Sequence, residues 1–88
     1  MRYRVANSVY HQTVNDEVVL LDARRSLYLG LNRPAASVWT AILAGKTAEE
    51  AAGEMHRRFQ VSSERAQEDT LTLLADLVSR GILERLEE

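Results

Sequence analysis

Side chains that commonly carry chemistry are few in this sequence and lie far apart. It contains no cysteine, which excludes a thiol nucleophile, a thiolate metal ligand and a disulfide. Its two histidines, His11 and His56, fall in different predicted elements, and no spacing brings them together with a carboxylate as a metal site requires. Its four glycines stand singly, so there is no glycine-rich loop for a phosphate.

Nucleophilic and acid–base catalysis find no better support. The sequence has no Gly-x-Ser-x-Gly segment that would expose a serine nucleophile beside a histidine base. The adjacent acidic residues Glu49-Glu50 and Glu68-Asp69 lie in predicted helices, where neighbouring side chains do not face each other. We therefore predict a protein that is not an enzyme and that uses neither a metal ion nor a cofactor.

The elements that hold these residues change in character at Asn32. Before it, residues 8–14 and 17–22 have strand patterns, and Asn15-Asp16 between them is typical of a tight hairpin turn. Residues 27–31 form a third predicted strand after another short turn. Connections this short require antiparallel pairing.

Beyond this point the apolar period becomes helical. Asn32 is a predicted N-cap with Pro34 in the first turn, and Gly45 ends the first helix. The segment Thr47-Ala48-Glu49-Glu50 is a capping box that begins a second helix. A third helix is predicted over residues 64–80, and its buried residues are expected to be Thr70, Leu71, Leu74, Leu77 and Val78.

These elements predict an α+β fold with a winged helix-turn-helix-like architecture, in which a three-stranded antiparallel sheet is followed by three helices. A chain of 88 residues forms one domain, with the sheet in residues 1–32 and the three-helix part in residues 33–88. Ile82 and Leu83 are expected to pack back onto the core. No segment is apolar enough for a signal peptide or a membrane span, so we expect a cytoplasmic protein that does not bind membranes.

The helix-turn-helix pattern raises the question of nucleic-acid binding. The third predicted helix carries four carboxylates against two guanidinium groups, and the whole chain has a formal net charge of -2. Each neutralised phosphate needs a cation, so DNA or RNA would be repelled by this helix. We predict that no nucleic acid is bound, and a winged-helix nucleic-acid-binding regulator is kept as an alternative function.

Several spaced motifs resemble a known family. They are Asp22-x5-Tyr28-x-Gly30-Leu31-Asn32, Ala36-x-x-Trp39, Gly45-Lys46-Thr47-x-x-Glu50 and Asp69-x3-Leu73-Leu74-x-x-Leu77-x3-Gly81-Ile82-Leu83. Over residues 8–83 the chain resembles the PqqD-like recognition elements, which bind leader segments of ribosomally made precursor peptides. It is more similar to the stand-alone recognition protein of lasso-peptide pathways with a split B protein than to the pyrroloquinoline-quinone member. Ser26 stands where many relatives have a turn glycine, and Pro34 is displaced by one residue from the usual proline position.

The resemblance implies that a leader peptide adds as an antiparallel strand beside the third strand, in the cleft between that strand and the third helix. An edge strand has unpaired N–H and C=O groups that an extended peptide satisfies, which supports the same location on physical grounds. Gly30 is expected to leave room for the incoming backbone. The predicted peptide-binding residues are Leu27, Tyr28, Leu29, Gly30, Leu31, Asp69, Leu73, Asp76 and Leu77.

The same resemblance implies that the bound leader is delivered to a separately encoded leader peptidase, a transglutaminase-like cysteine protease, and further to the cyclase. Two other functions stay open from the sequence. One is the PqqD-type chaperone of pyrroloquinoline quinone biosynthesis, and the other is an interaction domain for a different ligand.

Overall fold

The computed structural model describes residues 1–86, which form two sheets and three helices. The strands are β1 (Arg2–Val5), β2 (Val9–Val14), β3 (Glu17–Asp22), β4 (Leu27–Leu31) and β5 (Leu83–Leu86), and the helices are α1 (Arg33–Leu43), α2 (Ala48–Arg58) and α3 (Ser63–Ser79). A three-stranded antiparallel sheet in the order β2-β3-β4 precedes the helices, so the predicted fold class is confirmed.

The β2–β3 hairpin closes on the turn that the sequence predicts. Asn15 and Asp16 both have positive φ angles, 52° and 66°, which define a two-residue type I′ turn. This turn places Val14 opposite Glu17. Because β4 pairs with the other side of β3, β3 is the central strand, and β2 and β4 are the two edges of the sheet.

Hydrogen bonds confirm the predicted helix ends. Asn32 Oδ1 accepts a backbone N–H from the first turn of α1 at 3.1 Å, and Pro34 lies in that turn. Gly45 follows α1 with a φ of 85°, a conformation that glycine adopts without steric cost. Thr47 and Glu50 exchange the two side chain-to-backbone hydrogen bonds of a capping box, which begins α2.

One hydrophobic core lies between the β2-β3-β4 sheet and the helices. Trp39 on α1 is 1% exposed and packs with Val18 and Leu20, which point inward from β3. The ring of His11 lies edge-on to Trp39 with the ring centroids 5.7 Å apart. His11 therefore borders the core from β2, a contact that the sequence analysis did not predict.

The buried face of α3 is narrower than predicted. Thr70, Leu74 and Leu77 recur at i, i+4 and i+7 and are fully buried, whereas Val78 is half-buried. Leu71 is 53% exposed, so its assignment to this face is wrong. The physical reason is its position about 100° around the helix from Thr70, beyond the edge of the buried stripe.

β1 and β5 form a two-stranded antiparallel sheet that the sequence analysis did not predict. Leu83 is fully buried, which confirms its expected packing on the core, whereas Arg4 and Glu84 form an exposed ion pair at 2.7 Å. Residues 83–86 therefore form a strand beyond the predicted end of the third helix, within the three-helix part predicted over residues 33–88. Each strand has only four residues and its partner lies about 80 positions away, so no local pattern reveals the pairing. The last two predicted residues lie outside the described part of the chain.

Candidate functional site

β4 is an edge strand, and the register of the sheet identifies which of its backbone groups are unpaired. In an antiparallel ladder, alternate residue pairs exchange both hydrogen bonds. The type I′ turn makes Val14 and Glu17 such a pair. At the other end of the hairpin, the Ala23 N–H donates to the Ser8 carbonyl at 3.1 Å and follows the same alternation. β3 therefore bonds to β2 through its odd-numbered residues and to β4 through its even-numbered residues.

This alternation directs the N–H and C=O groups of Tyr28 and Gly30 away from the sheet. Leu27, Leu29 and Leu31 lie opposite even-numbered residues of β3 and use their backbone groups there. Within residues 1–86, no other backbone group bonds to Tyr28 or Gly30 from the open side. Two donors and two acceptors are thus available to alternate residues of an added strand.

A cavity of about 550 Å³ lies between the end of β4, the start of α1 and the middle of α3. Apolar side chains make up most of its lining, and two carboxylates stand among the polar ones. The lining residues are Asn32, Pro34, Ala35, Met55, Val61, Asp69, Thr72, Leu73 and Asp76. A cavity of this size and lining is large enough for one or two apolar side chains.

The structure brings Asp69, Leu73 and Asp76 together in one wall of this cavity, as the sequence analysis expected. Leu73 is half-buried and packs against the core from outside the buried stripe of α3. It therefore presents apolar surface to the cavity while its position is fixed by packing.

The two aspartates are not free carboxylates. Arg65 Nε donates to both oxygens of Asp69 at 2.9 and 3.0 Å. Arg80 Nε donates to Asp76 at 3.0 Å. Exposed pairs four residues apart on a helix stabilise it by only about 0.3–0.5 kcal/mol, so a ligand can replace either guanidinium group at little cost.

Three of the predicted peptide-binding residues contribute differently from the expectation. The side chain of Leu77 is 0% exposed in the core, so it lies behind the cavity wall that contains Leu73. Tyr28 is 72% exposed on the outer face of the sheet, opposite Leu21, and only its backbone faces the open edge. A Cβ added at Gly30 would meet no atom within 4 Å, so nothing in the described chain requires a glycine there.

The apolar residues of the cavity, Pro34, Ala35, Met55 and Val61, were not predicted from the sequence. They come from α1, α2 and the loop before α3, and each reads in the sequence as part of a helix end or a core face. Only the packing of three helices brings them together, so no local signal identifies them. Proximity of Pro34 to the end of β4 in the sequence is the one clue that was available.

At the far end of the cleft, one side chain joins the turn before β4 to the end of α3. The Arg25 guanidinium donates to the backbone carbonyl of Arg80 at 2.5 Å and to Asp22 at 3.4 Å. It lies directly against Gly81, where an added Cβ would be 1.9 Å from Arg25 Nη1. This contact fixes the separation of β4 and α3, the two walls of the cleft, at that end.

Asp22 anchors this contact from inside the protein. Its side chain is 1% exposed and accepts hydrogen bonds from the Ser8 hydroxyl at 2.9 Å and from the Arg24 N–H at 3.1 Å. Burial raises the pKa of Asp22, but these hydrogen bonds and the nearby Arg25 charge outweigh it, so the pKa of this carboxyl lies below its ordinary value. Asp22 is therefore ionised at neutral pH and holds the turn before β4.

Within residues 1–86, no group of three or more His, Cys, Asp or Glu side chains is placed to hold a metal ion. Over the same residues, no helix is both long and apolar enough to span a bilayer.

The fold defines this protein as a small winged helix-turn-helix-like domain, with a cavity at one end of an edge strand of its sheet. Among protein families, the one described as Coenzyme PQQ synthesis protein D (PqqD) matches residues 17–83, well over half of the chain. The chain belongs to the PqqD family, which confirms the resemblance seen in its motifs. No curated protein matches the sequence.

Two solved structures are similar to this chain. One is described as TbiB1 in complex with the TbiA(beta) leader peptide; it is 25% identical, with a TM-score of 0.85 and coverage of 100% of both chains. The other is described as lasso peptide synthetase B1 complexed with the leader peptide. It is 24% identical with a TM-score of 0.87, and the match covers 97% of this chain and 100% of that one. The second likeness concerns the fold alone.

Proposed function

We propose that this chain binds the leader segment of a ribosomally made precursor peptide as a fourth strand of the β2-β3-β4 sheet, without a catalytic step of its own. The observation that carries the proposal is the position of the cavity at the end of β4, where its lining residue Asn32 lies two residues beyond Gly30 and its outward backbone groups. Backbone pairing supplies affinity, and the cavity selects side chains. The similarity to leader-bound TbiB1 supports the same function.

An antiparallel peptide on β4 has a defined direction through the cleft. Its N-terminal end lies near Asn32 and Leu73, and its C-terminal end emerges near Leu27 and the Arg25–Arg80 contact. The peptide therefore runs parallel to α3. The part of the precursor that follows the leader would be presented at the Arg25 end, outside the cleft.

Two partner enzymes are proposed to receive the bound precursor. The separately encoded leader peptidase, a cysteine protease, acts on the precursor at the Arg25 end, and the cyclase takes the peptide that is released. An apolar row on the outer face of the sheet, formed by Tyr10, Leu21 and Tyr28 in register, is not used by the cleft and lies at that same end. We propose it as the contact surface for the peptidase, in the cytoplasm where the precursor is made.

Pairing of the peptide backbone with β4 predicts that affinity depends on the N–H group of every second peptide residue, and N-methylation tests this pattern. Candidate leader peptides, synthesised from short precursor genes sought in the genomic neighbourhood, are titrated against the protein, with one N-methyl residue moved along the peptide. An N-methyl group removes a donor, so we expect affinity to fall by about tenfold or more at residues opposite Tyr28 and Gly30 and to change little at the residues between them. Loss with a period of two supports the added strand, whereas a flat profile contradicts it.

A second candidate function is favoured by the family match. The PqqD family is described by coenzyme PQQ synthesis, so the same cleft would bind the precursor peptide of pyrroloquinoline quinone. A parallel titration with that precursor separates the two functions, because the tighter ligand identifies the pathway. Duplex DNA is the third ligand in the same series, and salt-sensitive DNA binding without peptide binding would contradict both peptide functions.

A further inference from the structure

β2 is the second edge of the three-stranded sheet, and it lacks the features that usually protect an edge. Its six residues, Val9–Val14, include no charged residue, no proline and no glycine. Edge strands are commonly protected from pairing by lysine, proline or a bulge. The strands of the other sheet follow this rule, since β1 carries two arginines and β5 carries Glu84 and Arg85. The β2 edge therefore has the composition of a strand that has a neighbour.

The alternation that frees Tyr28 and Gly30 on β4 frees His11 and Thr13 on β2. Val14 bonds inward to Glu17, so the odd-numbered residues of β2 direct their N–H and C=O groups outward. The Val9 N–H is used within the chain, where it donates to the Ala6 carbonyl at 3.1 Å. Over residues 1–86, the outward backbone groups of His11 and Thr13 have no backbone partner.

Two large apolar side chains of β2 are exposed on the outer face of the sheet. Tyr10 is 63% exposed and Val14 is 48% exposed. They lie on the same face of the strand, at equal distances on either side of Gln12. This arrangement is self-complementary. If a second β2 strand runs antiparallel beside the first, with the two Gln12 residues opposite each other, Tyr10 of each strand lies opposite Val14 of the other.

We infer that β2 is a self-association edge, on which two copies of this chain pair antiparallel about a two-fold axis at Gln12. His11 then faces the second copy's Thr13, and the two symmetric pairs exchange four hydrogen bonds. Tyr10 faces the second copy's Val14, which forms two aromatic–aliphatic cross-strand pairs. A register shifted by two residues would place Tyr10 opposite Gln12 or Asp16 and lose both pairs.

Pairing through β2 builds a six-stranded sheet with a β4 edge at each end. Both clefts stay open, since β4 and α3 take no part in the contact. The outer face of the sheet is lengthened rather than covered. Two paired six-residue strands bury less surface than a stable interface usually needs, so the dimer is weak and depends on protein concentration.

The absence of cysteine from the sequence allows a direct test of this register. Gln12→Cys places two thiols across the two-fold axis in a non-hydrogen-bonded pair, where Cα atoms are about 4.5 Å apart and a disulfide fits. Under mild oxidation we expect the variant to form a covalent dimer at least about tenfold faster than Gln67→Cys, an exposed position on α3. Sedimentation of the unmodified protein should show a monomer–dimer equilibrium.

Tyr10→Cys is the control for register, because the two copies of residue 10 would lie roughly 14 Å apart, beyond disulfide reach. Val14→Lys gives the edge the kind of charge found on β1 and β5, and it should shift the equilibrium to monomer. Equal cross-linking at residues 10, 12 and 67, or a monomer up to about 1 mM, would overturn the inference.

The leader titration keeps this inference separate from the proposed function. The cross-linked Gln12→Cys dimer should bind one leader per copy with the affinity of the monomer, within about twofold, because the β4 edges are remote from the link. A dimer that forms in the predicted register but binds no leader would leave self-association in place and contradict the proposed function. Leader binding by a strictly monomeric protein would support the proposed function and contradict self-association through β2.

Discussion

The two edges of the three-stranded sheet, β2 and β4, have the same backbone pattern but different surroundings. Each strand is uncharged and offers two residues with outward N–H and C=O groups. β4 lies beside the largely apolar cavity that contains Leu73, whereas β2 lies beside a polar cavity of about 370 Å³ with Arg33, Arg58, Ser37 and Thr40 in its lining. The cavity beside β4 can therefore select the side chains of a bound peptide. Because the cavity beside β2 is polar, the apolar partners of Tyr10 and Val14 are supplied by β2 of a second copy.

The largest change in leader affinity is expected from Leu73→Asp. The new carboxylate would stand in the cavity wall between Asp69 and Asp76, where burial and two like charges oppose it. We expect the leader affinity to fall by about 100-fold, which corresponds to about 2.7 kcal/mol. Isothermal titration calorimetry with the synthetic leader measures the loss, and sedimentation should show that pairing through β2 is unchanged.

Leu71→Asp is the matched control, because Leu71 lies on the same helix but is 53% exposed and lines no part of this cavity. It should keep the wild-type leader affinity within about twofold. Thermal unfolding of both variants tests whether the fold is retained. Equal affinity losses in the two variants would show that Leu73 has no special place in leader binding.

A smaller loss is expected from Arg25→Ala, which separates the two walls of the cleft at the end where the peptide emerges. The variant removes the hydrogen bond to the Arg80 carbonyl and the contact with Gly81. We expect leader affinity to fall by about tenfold, since a wider gap weakens pairing at one end of the peptide while the cavity at the other end is untouched. Fluorescence anisotropy of a labelled leader measures this change.

Arg24→Ala controls for the loss of one positive charge from the same turn. The Arg24 side chain is exposed, and only its backbone N–H bonds to Asp22. The control should therefore bind the leader like the unmodified protein. A leader shortened at its C-terminal end should be less sensitive to Arg25→Ala, and equal sensitivity of long and short leaders would contradict a role at that end.

Local patterns were enough to predict most of this fold. The turn at Asn15-Asp16, the N-cap Asn32 and the capping box of Thr47 and Glu50 each depend on a few adjacent residues, and all are present. β1 and β5 depend on pairing between distant segments of four residues, so their local signal is too weak. Leu71 was wrongly predicted to be buried, because helical spacing alone does not show where the buried stripe of α3 ends and the exposed face begins.

The candidate site was predictable in outline but not in detail. Strand order alone identified β4 as an edge, and helical spacing placed Asp69, Leu73 and Asp76 on one side of α3. The cavity floor requires three helices to converge, which no segment encodes by itself. The arginine partners of both aspartates lie four residues away and could have been read from the helix spacing.

A decrease of a few degrees in melting temperature is expected from Ser8→Ala, which removes the hydroxyl that donates to Asp22, next to the turn before β4. The pKa of Asp22 is lowered in the folded protein, so the stabilisation it provides is present above its unfolded pKa of about 4 and is lost as the pH falls through the folded pKa. Without the Ser8 hydroxyl, the folded pKa lies closer to the unfolded one. The melting temperature should therefore be lower at pH 7 and decline less on acidification than that of the unmodified protein.

Parallel thermal unfolding series between pH 7 and about pH 2 measure both trends. Thr13→Ala provides a control hydroxyl on the β2 edge, where no carboxylate accepts from it within the described residues. That variant should keep the pH dependence of the unmodified protein. A parallel shift of the Ser8→Ala curve at every pH would contradict the linkage to Asp22.

The smallest expected change is in the melting temperature, when residues in the two turns that flank β3 are replaced by glycine. Ser26, just before β4, has a φ of 53°, a conformation that costs a serine roughly 1 kcal/mol and a glycine nothing. Ser26→Gly removes this cost but adds freedom to the unfolded chain, so the net gain is about 0.5 kcal/mol, or about 2–4 °C in melting temperature. Asn15→Gly at the turn after β2 should gain less, since asparagine tolerates positive φ better than serine. Equal gains at both turns would show that Ser26 carries no particular strain.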